Sequence, residues 1–151
     1  MNSLALGGVL KRIYEHFDMQ SFSNRLRVQK VIYLLQGVGI NLGYSYSWYI
    51  YGPYSTGLTR DAFQITNFKN VKPIGFVEPS TEKKFQEFTK KIKQKNDFWL
   101  EVASSIHFLK ELYPNKTKSS IINEIQNKRT KFNNKKDKIL QVWEDIEGWI
   151  I

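Results

Sequence analysis

Apolar residues in this chain recur at steps of three and four over most of its length, the spacing that gathers side chains on one face of an α-helix. The pattern is cleanest near the C-terminal end, where Ile139, Val142, Trp143, Ile146, Trp149 and Ile150 predict a terminal core helix. Leu6, Val9, Leu10, Ile13 and Phe17 predict a first helix ending near Phe17. A second is expected to start at Ser23, whose hydroxyl can cap free backbone N–H groups. Its core stripe is Val28, Val31, Ile32, Leu35 and Val38, and Gly37, Gly39 and Gly43 end it. Leu58, Ala62, Phe63 and Ile65 predict a short third helix, and Ile121, Ile122 and Ile125 another short one. Ser80 after Pro79 caps a surface helix whose narrow stripe of Phe85, Phe88 and Ile92 runs between lysines. Asp97 caps a longer helix with Phe98, Val102, Ile106, Leu109 and Tyr113 facing inward, Trp99 and Ala103 widening the buried face, and Pro114 as the stop.

One stretch departs from this period. From Tyr44 to Tyr51 the sequence YSYSWYIY begins as an aromatic/serine alternation, the period of a strand, and it meets Gly52-Pro53. A strand or hairpin arm is expected there, with Gly52 and Pro53 as a tight turn that packs the aromatics on the second helix. The segment NFKNVKPIGFVEP (67–79) reads as a loop with one extended stretch. The resulting fold class is mainly α, a single compact bundle of about seven helices with a short extended or β insertion around 44–51. A length of 151 residues suits one domain over 1–151, and 41% hydrophobic residues supply its core.

Several function classes lose support at this point. No run approaches the ~18 apolar residues of a membrane span, and LALGGVL precedes Lys11 and Arg12 instead of following a basic segment, the wrong order for a secretory signal. A cytoplasmic protein is the expectation. The absence of cysteine removes disulfides, thiol catalysis and thiolate metal sites. His16 and His107 lack ligand-spaced neighbours, so no metal is expected. No GxSxG or GxxxxGK[ST] occurs. The run VIYLLQGVGINLG imitates a dinucleotide fingerprint, but its third glycine falls one residue late and the next segment, YSYSWY, looks extended instead of opening a helix. Neither a cofactor nor an enzymatic activity is expected.

Binding remains. Arg25, Gln29, Tyr33 and Gln36 fall at steps of four, four and three on the second helix, a polar stripe beside the apolar one. Either a partner reads it, or Arg25 and Gln36 are solvated while Gln29 and Tyr33 satisfy backbone groups of the 44–54 segment. The tyrosines from Tyr44 to Tyr54, with Trp48 among them, suit core packing or a protein-binding surface, since no Lys or Arg lies between Tyr33 and Leu58 to help stack nucleobases. The net charge of +9 is concentrated elsewhere. Lys83, Lys84, Lys90, Lys91, Lys93 and Lys95 oppose only Glu87, and a second basic region, 116–138, opposes only Glu124 and Asp137. Such runs bind phosphate backbones when they converge and are otherwise the solvated sides of surface helices.

The segment NRLRVQKVIYLLQ followed by WYIYGPYSTGL resembles the YwgA-like proteins and the wider SocA-like antitoxin group, the Panacea domain. Leu26, Gln29, Lys30, Tyr33 and Leu34 match the helical part of that pattern; Tyr51, Gly52, Pro53, Tyr54 and Ser55 match the aromatic part, continued by Leu58 and Phe63. Weaker echoes run through ASSIHFLKE, KRTKF and VWEDI, and the specific similarity spans about residues 22 to 63. The resemblance implies a compact helical domain and, for the antitoxin branch, neutralisation of a toxin by direct contact; it implies no catalytic residues. The expectation is therefore a non-enzymatic protein-binding module, an antitoxin or defence-associated factor, with Arg25, Gln29, Lys30, Tyr33, Tyr51, Tyr54 and Arg60 at the partner surface. The alternative is a nucleic-acid-binding protein using the lysine-rich helices 83–95 and 116–138.

Overall fold

The helix from Asp97 to Leu112 is buried on every side from Trp99 to Ile106, and that decides the architecture, because a helix buried all round must sit at the centre. The computed structural model describes residues 2–151. In chain order the elements are α1 (Ser3–Ile13), α2 (Phe22–Gly37), β1 (Ser47–Tyr49), β2 (Gly52–Tyr54), α3 (Thr56–Phe63), α4 (Pro79–Ile92), α5 (Asp97–Leu112), α6 (Lys118–Lys128) and α7 (Lys136–Ile146), with single 3₁₀ turns at Phe68–Asn70 and Thr130–Phe132. The fold is thus mainly α, with seven helices and one two-stranded sheet among the described residues. α5 packs against α2, α6, α7 and β2, and one apolar core joins residues of all seven helices.

Helix ends differ from the sequence expectation where a side chain has other work. Ser23 does not cap α2; its hydroxyl donates to Asp97 at 2.6 Å, and Ser21 caps instead by accepting from the Asn24 N–H. Asp97 in turn does not cap α5. Asn96 accepts from the Trp99 N–H, and Asp97, in the first turn, takes Ser23 and Arg27. Ser80 lies inside α4, because Pro79 already occupies the first helical position, where its missing N–H costs nothing. α1 stops at Ile13, with Tyr14 extended, and Phe17 reaches the core from the following loop. α7 stops at Ile146; Gly148 at φ +78° turns the chain back, so Ile150 is buried from outside the helix. Tyr113, read as inward-facing, is exposed, as is Phe63 of the third helix's apolar pattern. Segment 67–78 is a loop with one 3₁₀ turn, followed by an extended Val71; Glu82 holds it by accepting from the Phe76 N–H and both terminal nitrogens of Arg12.

The aromatic insertion is a hairpin, with a different turn from the one expected. β1 and β2 pair antiparallel with Tyr49 opposite Gly52 and Ser47 opposite Tyr54, so the loop is Ile50-Tyr51 and Gly52-Pro53 belongs to the second strand. Residues 44–46 lie outside any strand. Two-residue loops favour positive φ, which Ile50 and Tyr51 do not adopt; Gly52 takes it instead, at +97°.

Candidate functional site: the cleft between α2 and the hairpin

Two glutamines of the polar stripe fasten the segment that carries the hairpin. Gln36 Oε1 accepts from the Leu42 and Tyr44 N–H groups while its Nε2 donates to the Tyr44 carbonyl. Gln29 Oε1 accepts from the Ser55 N–H at 2.8 Å, and Nε2 donates to the Ser55 carbonyl at 2.9 Å and to Thr59 Oγ1 at 2.7 Å. Gln36 is therefore a backbone clamp and not a solvated residue. Tyr33 does not bond this segment; its hydroxyl pairs with His107 Nδ1 at 2.6 Å on α5, and burial holds the His107 pKa below its ordinary value.

Lys30, one residue beyond Gln29, is 2% exposed, and its ammonium donates to the Pro53 carbonyl at 2.7 Å. It fixes β2 to α2 and leaves almost none of its own surface exposed. Burial lowers its pKa to about 7; Lys128 pushes further down, Glu101 opposes, and Arg129 adds a smaller lowering. Glu101, on α5, is fully buried and meets Arg129 at 3.2 Å, Lys131 at 3.5 Å and Lys128 at 3.8 Å. Burial also brings Lys128 down to about 8. Gly52 lies directly over this cluster: a Cβ there would stand 2.6 Å from Ser105 Oγ and 3.5 Å from Lys30 Nζ.

Beside the hairpin a cleft of about 220 Å³ opens. Met19, Phe22 and Leu26 supply its apolar lining, with Arg25, Tyr51 and Tyr54 among the others. The structure thus brings Arg25, Gln29, Lys30, Tyr51 and Tyr54 to one cleft, and leaves Tyr33 and Arg60 outside its lining. Arg25 is part-buried and donates through Nη1 to the Met19 and Gln20 carbonyls. Phe22 packs edge-on against Tyr51 at 5.0 Å, and Tyr49 likewise against Tyr54 at 5.1 Å. Arg129 lies 4.4 Å from the Tyr51 ring centre, tying the hairpin loop to the ion cluster. Around the turn Phe22, Tyr49 and Ile50 are exposed, Ile50 by 71%.

The charged regions divide. On α4, Lys83, Lys84, Lys90 and Lys91 are exposed, as is Lys93 just beyond; Lys91 lies over the Trp149 ring and the part-buried Lys95 over Trp99. In 116–138, Lys128, Arg129 and Lys131 are committed to Glu101, and Lys116 pairs with Glu124. Sequence reasoning missed Glu101 because an acid within FWLEVASSI carries no mark of which cations will surround it. No cluster of three or more His, Cys, Asp or Glu suited to a metal occurs among the described residues, and no helix there is long and apolar enough to cross a membrane. No family model, no curated protein and no solved structure matches the chain.

Proposed function

We propose that this protein is a non-enzymatic protein-binding module of the SocA-like kind, an antitoxin or defence-associated factor that neutralises a partner by direct contact through the hairpin turn and the cleft beside it. The observation that supports this is the exposure of Phe22, Tyr49 and Ile50 beside a concave apolar cleft. Contiguous exposed aromatic and aliphatic groups are a poor solution for an isolated surface, and aromatics beside a pocket are the usual anchors of protein interfaces. Ile50→Asp tests the reading, because the side chain is outside the core and its replacement spares the fold. Purified from its native host, the tagged protein should bring down a stoichiometric partner that the Ile50→Asp form, melting at the same temperature, does not. Equal recovery by both forms would contradict it.

The exposed lysines of α4 favour a second reading, nucleic-acid binding by Lys83, Lys84, Lys90 and Lys91 together with Lys93 and Lys95 just beyond the helix. It ranks lower because the second basic region spends three of its cations on a buried carboxylate of its own chain.

A further inference from the structure

Arg25 lines the cleft with donors to spare. Its Nη1 takes the Met19 and Gln20 carbonyls, while Nη2 and Nε make no hydrogen bond among the described residues. Gln29 Nε2 donates to Thr59 Oγ1, and that hydroxyl donates to the Tyr54 oxygen at 2.8 Å. The Tyr54 oxygen has no other hydrogen-bond partner among the described residues, so its hydroxyl can serve a ligand in the cleft that it lines. Asp18, the acid nearest Arg25 in the chain, accepts from the Gln20 N–H and Asn24 Nδ2 and forms no ion pair with Arg25 among the described residues. Arg25 thus offers further donors on a cation, and Tyr54 a hydroxyl, beside an apolar lining of Met19, Phe22 and Leu26. The volume of about 220 Å³ falls below the ~300 Å³ at which pockets begin to hold drug-sized ligands. It suits one large side chain.

We propose that the cleft seats a single large apolar side chain of the partner protein, and that Arg25 and the Tyr54 hydroxyl hold the carboxylate of an acidic residue adjacent to it in the partner's sequence. This rests on the protein-binding reading and narrows it to a partner of stated chemistry. A charged pairing of this kind is shorter and stronger than a neutral hydrogen bond.

Three capped dipeptides separate the elements of the proposal: Ac-Phe-Asp-NH2, its uncharged isostere Ac-Phe-Asn-NH2, and Ac-Ala-Asp-NH2. Titrated into the ¹⁵N-labelled protein, Ac-Phe-Asp-NH2 should shift the amides of Leu26, Gln29 and Tyr54 and bind about tenfold more tightly than either of the others, the scale of one charged hydrogen bond. Arg25→Gln, which removes the charge, should erase the difference between the Asp and Asn peptides. Equal binding of Asp and Asn peptides to the native protein would overturn the carboxylate assignment, and equal binding of the Ala and Phe peptides would overturn the apolar seat. Shifts confined to other residues, or none, would overturn both. Loss of partner recovery on Ile50→Asp without any peptide preference would sink this inference alone; peptide preference with recovery unaffected by Ile50→Asp would sink the functional reading alone.

Discussion

The Lys30 ammonium, nearly sealed from solvent in the middle of α2, donates to the Pro53 carbonyl in β2. An ammonium buried without a carboxylate of its own is costly, and the cost appears as a pKa lowered to about 7. The hairpin therefore rests on a group that loses its charge near neutral pH.

Stability should rise with pH above neutrality. In the unfolded chain Lys30 and Lys128 hold their protons up to about the ordinary 10.5, whereas in the fold they release them near 7 and 8. Between these values the unfolded state binds more protons, so deprotonation favours the fold. Below pH 7 both states are protonated and the penalty is full. Above pH 10 the trend reverses, since Tyr14, Tyr33, Tyr44 and Tyr46 are all raised by burial and keep protons the unfolded chain gives up. Urea unfolding from pH 6 to 11 should show a maximum near pH 9 to 10, and Lys30→Met should flatten the rise. A steady decline from pH 7 to 9 would contradict this account of Lys30.

Gly52→Ala should destabilise the domain by about 2 to 4 kcal/mol, combining a left-handed conformation with close approach to buried atoms. The φ of +97° and the 2.6 Å gap to Ser105 Oγ are independent penalties. Adding Ser105→Gly should therefore recover only part of the loss. An unchanged melting temperature for Gly52→Ala would show that the hairpin tolerates a side chain there.

Glu101→Gln should cost about 3 to 5 kcal/mol, because it strands Lys128 and Arg129 in a buried place without their counter-charge. Glu124→Gln removes one surface pairing with Lys116 and should cost less than about 1 kcal/mol. Chemical denaturation of the two variants side by side checks the contrast, and similar losses would mean that the buried cluster has no special weight.

Much of the fold was legible in the sequence, for identifiable reasons. Ile139, Val142, Trp143 and Ile146 lie on one face because burial imposes the helical period, and the period shows in a single chain. Helix ends were less legible. Ser21, Ser23, Asn96 and Asp97 are all competent caps, and the choice among them was made by a tertiary contact, the Ser23–Asp97 hydrogen bond, that no local pattern encodes. The hairpin turn was misplaced by two residues for a similar reason: Gly-Pro signals a turn, yet Gly52 supplies its positive φ one position after the loop. The gathering of Arg25, Gln29, Tyr51 and Tyr54 around one cleft came from helical spacing and proximity in the chain, whereas Glu101 with Lys128, Arg129 and Lys131 joins distant segments and left no sequence signal.

The lysines of α4 should bind nucleic acid only weakly and without sequence preference. Each phosphate contact releases counterions, so association measured at about 50 mM salt should vanish by about 200 mM. Glutamate in place of Lys83, Lys84, Lys90 and Lys91 should leave partner recovery unchanged. Tight binding that persists at the higher salt would reverse the order of the two functional readings.

Site-specific photo-crosslinking tests the central claim most directly. A benzophenone side chain placed at Ile50, on the hairpin turn, should yield one discrete crosslinked species in the native host, while the same group at Val77, more solvent-exposed and in the segment leading to α4, should yield none. A discrete crosslink from Val77 with none from Ile50 would contradict the assignment of the hairpin and its cleft as the contact surface.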